Sequence, residues 1–155
     1  MLWRPLHEAE GRWFWWGAKG PESFKKLYYL LYELLTYHYK LNNLIWVWNA
    51  IDPDWLVEEE FFDIVGVDFY APAGDFGPLK FKYDQALELA KGEKPVALTE
   101  NGPIPDPDLL FDSESYFLWF MPWWGKFVFD GIINPKEHLI KIYNSERVIT
   151  LEKIN

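Results

Sequence analysis

Ile64-Val65-Gly66-Val67-Asp68-Phe69-Tyr70 runs apolar and then turns polar at its end. A run without alternation is the pattern of a strand covered on both faces, as parallel strands in α/β proteins are. Three other runs repeat it. Leu44-Ile45-Trp46-Val47-Trp48 is followed by Asn49, Pro95-Val96-Ala97-Leu98-Thr99 by Glu100-Asn101-Gly102, and Tyr116 to Pro122 by Trp123. A fifth candidate, Leu2 to His7, opens the chain and precedes Glu8.

The segments between these runs read as helices. Ser23 to Tyr39 carries Phe24, Leu27, Tyr28, Leu31, Leu34 and Leu35 at helical spacing, with Pro21 placed to start the helix. Phe81 to Lys91 is a shorter helix stopped at Gly92, a helical turn is expected near Leu109-Leu110, and Pro135 to Ser145 closes the series. Val148 to Ile154 reads as a short extended tail. Strands separated by helices imply parallel pairing with right-handed crossovers. Polar residues cluster at strand C-termini: His7, Glu8, Asn49, Asp68, Tyr70, Glu100 and Trp123. That placement favours a (β/α)8 barrel, whose active site is built from those ends. The expected class is α/β. No linker, repeat or low-complexity segment divides residues 1–155, so one domain is expected.

Composition narrows the partners. The chain has 155 residues, is 20% aromatic with ten Trp, and carries a formal charge of -9. The aromatic load suggests rings lining a groove as well as filling a core. Net acidity and the lack of a basic stripe argue against nucleic acid. Charged residues interrupt every apolar run, which argues against a membrane span. Zero cysteines exclude disulfides and Cys-ligated metal. His38 and His138 lack metal-ligand spacing and read as structural or solvent-facing. Met1 leads straight into strand-like sequence, so no signal peptide is expected and the compartment stays open. A Gly-rich phosphate loop and a Gly-x-Ser-x-Gly elbow are both missing, which disfavours a nucleotide fold and a serine hydrolase.

Glu8 and Glu100 each follow a strand and each adjoin aromatic clusters. Two carboxylates flanking a sugar can perform glycoside hydrolysis, one protonating the leaving oxygen and the other attacking the anomeric carbon or activating water. Flat rings such as Trp13-Phe14-Trp15-Trp16 can hold pyranose faces.

Four blocks in order resemble glycoside hydrolase family 26, the mannanase-type members of the large retaining (β/α)8 clan. Arg4-Pro5-Leu6-His7-Glu8, with Gly11 and Trp13-Phe14-Trp15-Trp16-Gly17, is similar to the family's strand-4 signature. Asp63 to Tyr70 matches strand 6, Val96-Ala97-Leu98-Thr99-Glu100-Asn101-Gly102 the end of strand 7, and Pro122-Trp123-Trp124-Gly125-Lys126-Phe127 the strand-8 region. The resemblance implies Glu8 as acid/base and Glu100 as nucleophile. It implies substrate-side roles for His7, Trp13, Tyr70 and Trp123, with Tyr70 positioning the nucleophile and the two tryptophans stacking on sugar. It implies no metal and no cofactor, and a β-mannan or related β-glycan as substrate. The rival readings are a β-1,3-1,4-glucanase or β-1,3-xylanase of the same family, and an inactive fragment or sugar-binding half-barrel.

Three departures stand out. Glu10 occupies a position where the family usually has an amide. Asp54 to Glu60 lacks the family's Tyr-Pro-Gly step. Nothing corresponds to strands 1 to 3, so the expected fold is a partial (β/α)8 TIM barrel, strands 4 to 8 with their helices, against about 250 residues for a typical barrel. Open barrel edges imply self-association. Arg4 and Asp68 are expected to pair in the barrel floor.

Overall fold

The computed structural model describes residues 1–154. Four strands, β1 (Leu2–Trp3), β2 (Ile45–Trp48), β3 (Ile64–Phe69) and β4 (Val96–Asn101), are hydrogen-bonded in the order β1-β2-β3-β4. β1 pairs parallel with β2, Leu2 opposite Ile45, and β2 pairs parallel with β3, Val47 opposite Ile64. Between them run α1 (Pro21–Glu33), continued by a π-helical turn Leu34–His38, and α2 (Lys80–Leu89). α3 (Pro107–Asp112), α4 (Lys126–Phe129) and α5 (Lys136–Asn144) follow β4. The strand–helix alternation is the α/β pattern expected from the apolar runs.

The chain divides into two compact units. The first comprises residues 1–68 and 85–97, the second residues 69–84 and 98–155, so β3 and β4 each begin in the first and finish in the second. The first unit buries Trp46, Val47 and Trp48 of β2, Val65 and Val67 of β3, and Phe24 and Tyr28 of α1. Tyr28 meets Trp46 and Phe24 at centroid distances of 5.8 and 5.9 Å, and Trp55 closes on Phe24 at 5.5 Å. Trp46, Trp48 and Trp55 are therefore core, whereas Trp13, Trp15, Trp123 and Trp124 are exposed. The second unit buries Leu98, Ile104 and Ile142, with His138 stacked on Phe76 at 3.6 Å and bonded to the Ile104 carbonyl at 2.8 Å. His138 is structural and His38 is exposed, as expected.

Four local expectations need correction. β1 ends at Trp3 rather than His7, because Pro5 has no N–H to give a ladder and Leu6 takes a left-handed φ of 54°. Tyr116 to Pro122 is not a strand. It runs beside β4, with Leu98 N donating to Trp119 O and Asn101 N to Met121 O, both at 3.0 Å, but only Asn101 and Pro122 form a bridge. The Asn101 side chain takes the Met121 N–H at 2.9 Å, displacing a ladder bond, and Pro122 has none to offer. The tail ends in a 3₁₀ turn, Leu151–Lys153, rather than extended chain, and the Lys153 ammonium binds the Ser145 and Val148 carbonyls. The Arg4–Asp68 pair forms at 2.6 Å, but Arg4 follows β1 and Asp68 is the penultimate residue of β3. It therefore lies at the C-terminal ends of these strands and not in a floor.

Among the described residues no helix is long and apolar enough to cross a membrane.

Candidate active site

The residues at the strand ends gather into two groups, one in each unit. The first surrounds Glu8. Beyond β1 the chain enters left-handed backbone three times, at Leu6, Glu8 and Arg12, with φ of 54°, 51° and 59°. Such conformations cost roughly 1–3 kcal/mol each in non-glycine residues, so the surroundings must impose them. Here they do. Glu8 N donates to both the backbone oxygen and Oδ1 of Asn49, each at 3.0 Å. Asn49 is buried just past the end of β2. The Trp16 indole N–H donates to the His7 carbonyl at 2.8 Å. The His7 ring lies 5.0 Å from Phe14 and 5.7 Å from Trp16, which stack on each other at 4.4 Å.

Two glycines let this aromatic segment fold back on the 3₁₀ turn Ala9–Gly11. A Cβ on Gly11 would stand 1.8 Å from Cζ3 of Trp13, and one on Gly17 would stand 2.2 Å from the Ala9 carbonyl oxygen. Held there, Trp13 donates its indole N–H to Glu8 Oε2 at 3.3 Å while its ring stays 65% exposed. Trp13 therefore both touches the carboxylate and presents a flat face to solvent.

The second group surrounds Glu100. All six residues of β4 are buried, and Glu100, penultimate in the strand, is only 4% exposed. Tyr70, the first residue past β3, donates its hydroxyl to Glu100 Oε2 at 2.6 Å, the short end of the O–H···O range. The Tyr70 ring packs on Phe127 at 5.1 Å, and both rings lie beside Gly102. Trp123 N donates to the Asn101 carbonyl at 2.9 Å, which fixes the start of the segment bearing that ring, 38% exposed.

Buried amides brace this group. Asn101 Nδ2 donates to Pro103 O at 3.0 Å and Gly102 O at 3.3 Å. Asn134 Nδ2 reaches Gly102 O at 2.9 Å and Phe127 O at 2.8 Å, while its Oδ1 accepts from Ile104 N at 2.8 Å. Asn134 thus ties the chain after β4 to α4, with both ends of its side-chain amide satisfied as burial demands. Sequence reasoning missed it, since nothing near residue 134 signals a link to residue 102. In the sequence Asn101 reads only as part of the strand's exit, although Asn before Gly is a residue type that favours such turns.

Comparison with known proteins decides the family. The model of glycosyl hydrolase family 26 matches residues 1–153. The chain belongs to this family. A GH26-CBM35 β-(1,4)-mannanase of Podospora anserina superposes with a TM-score of 0.95 at 47% identity, covering 99% of this chain and 34% of that one. A β-mannanase from a symbiotic protist of the termite Reticulitermes speratus, solved with a gluco-manno-oligosaccharide, gives a TM-score of 0.93 at 37% identity over 100% of this chain and 48% of that one. A mannan endo-1,4-β-mannosidase of Thermothelomyces thermophilus is 47% identical over 99% of this chain and 32% of its own length. This family 26 chain thus spans between a quarter and a third of the length of these curated relatives. Its fold is a partial (β/α)8 barrel, as the strand-end pattern implied.

Proposed function

We propose that this chain carries the catalytic groups of a retaining endo-β-1,4-mannanase, with Glu8 as acid/base and Glu100 as nucleophile. The supporting observation is the Tyr70 hydroxyl on Glu100 Oε2 at 2.6 Å, at the end of a fully buried strand. A hydroxyl there holds the carboxylate in one orientation at the strand end. The substrate class is supported by relatives that are named mannan endo-1,4-β-mannosidases and a structural neighbour solved with a gluco-manno-oligosaccharide.

In the proposed reaction Glu8 gives its proton to the glycosidic oxygen as Glu100 attacks the anomeric carbon and the leaving chain departs. The glycosyl–Glu100 ester is then opened by water, from which Glu8 takes a proton. Trp13 and Trp123 offer exposed rings for sugar faces. Within this reading His7 contributes through its backbone and ring, which shape the aromatic segment beside Glu8. No cofactor enters. Residues 1–155 act here as one piece of a catalytic barrel. Exposed Leu2 of β1, the first strand in the sheet order, is an apolar residue through which an open edge would self-associate.

Purified chain assayed on galactomannan beside mixed-linkage glucan tests the substrate. Cleavage of galactomannan, lost in Glu8→Ala and Glu100→Ala, is expected. Cleavage of the glucan alone would replace the mannanase reading with the glucanase one.

A further inference from the structure

Glu10 is the carboxylate that the proposed reaction leaves unused, and its setting is unusual for a surface turn. It lies in the Ala9–Gly11 turn that follows Glu8 directly. Its Oε1 accepts the backbone N–H of Ile51 at 3.0 Å, and its Oε2 is buried with no hydrogen-bond partner. The Glu8 turn is therefore attached to the chain after β2 at two points: Glu8 N on Asn49, and Glu10 on Ile51. The first point holds the left-handed Glu8 and the second holds the residues just beyond it.

We propose that Glu10 is a positioning residue for Glu8, holding the turn through its bond to the Ile51 amide. A carboxylate oxygen without a donor is costly to bury, and more so when ionised. The charged groups that face it are both negative, Glu8 from its own strand end and Asp52 from the loop after β2. Arg12, two residues on, lies over the Trp55 ring at 5.8 Å instead. α1 also packs on this turn, but it buries Phe24 and Tyr28 and keeps Glu22 and Lys26 exposed. Burial first, and then the charges of Glu8 and Asp52, push the Glu10 carboxyl above its usual range, against backbone hydrogen bonds that pull it down. The amide that the resemblance places at this position is the neutral isostere of the same group.

The inference rests on Glu8 as acid/base only for its catalytic consequence, so two readouts are independent of that reading. A folded-state value raised above the unfolded one means the folded chain holds the proton more tightly. Stability from this group is then complete below the unfolded value and is lost as pH rises through the folded one. Glu10→Gln should therefore melt higher than the parent chain at neutral pH, with the gap closing as pH falls below the ordinary glutamate range. In the second readout, hydrogen exchange at the Ile51 amide should quicken on the order of tenfold in Glu10→Ala and return towards the parent rate in Glu10→Gln. On galactomannan, Glu10→Ala should lower kcat more than it raises KM, and Glu10→Gln should restore most of the loss. A melting gap independent of pH would overturn the cost of burying the Glu10 charge. An unchanged Ile51 exchange rate in Glu10→Ala would overturn the positioning role. If those two hold while neither variant alters turnover, the acid/base reading of Glu8 fails and the contact survives.

Discussion

Glu8 and Glu100 carry the same functional group on opposite kinds of support. Glu100 belongs to a regular, wholly buried strand, and one hydroxyl from the neighbouring strand end orients it. Glu8 stands on irregular backbone with a left-handed φ of 51°, and Asn49, Trp13 and the aromatic segment behind it impose its place. Strand geometry fixes a side chain through the ladder itself, whereas a loop residue is only as well placed as the contacts around it. Damage to the first site should therefore come from loss of the Tyr70 hydroxyl. Damage to the second should come from several small contacts, none of them dominant.

The largest effects test whether the two sites are partners in one reaction. Glu100→Ala should abolish measurable turnover of galactomannan. Glu8→Ala should cost about 10²–10⁴-fold in kcat, and much less on a mannoside whose leaving group needs no proton. Equal losses on both substrates would remove Glu8 from the acid role. Next comes Tyr70→Phe, which deletes the hydroxyl on Glu100. Hydrogen bonds to charged groups are worth about 1.5–3 kcal/mol, so kcat should fall roughly 10- to 100-fold with KM little moved. A change confined to KM would make Tyr70 a sugar contact only.

Around Glu8 the expected effects are smaller. Gly11→Ala must push the Trp13 ring off its seat, because the added Cβ would stand 1.8 Å from Cζ3. Overpacking of this kind costs about 1–3 kcal/mol, and kcat should drop by about tenfold as Trp13 leaves Glu8. Unchanged tryptophan fluorescence and turnover would show that the ring has room to move. Asn49→Ala removes one of two acceptors for Glu8 N and keeps the backbone one. A loss of about fivefold in kcat is expected from a neutral hydrogen bond. An effect as large as that of Tyr70→Phe would erase the contrast between the two supports.

The same contrast governs what the sequence reveals. Glu100 and Tyr70 are legible because an apolar run with a polar end reports a buried strand and its exit, and each follows from its own neighbours. β2, β3 and β4 appear within a residue or two of their expected bounds for that reason, and α1 begins at the proline that signals it. The seat of Glu8 is not legible in this way. Its backbone is set by Asn49 and Ile51, some forty positions on, and no local pattern encodes that pairing. Nor does a local pattern reveal that the Asn101 side chain would replace a ladder bond and reduce Tyr116 to Pro122 to a single bridge. The glycines at 11 and 17 were visible as part of a motif. Their purpose, making room for Trp13 and for the Ala9 carbonyl, needed coordinates.

The most direct test of the central claim is to trap the glycosyl–enzyme with a fluorinated mannoside carrying an activated leaving group, and to locate the adduct by peptide mass spectrometry. The account predicts one added fluoromannosyl group on the β4 peptide, at Glu100, and none in Glu100→Ala. An adduct on Glu8, or turnover of this substrate with Glu100 left unmodified, would contradict it.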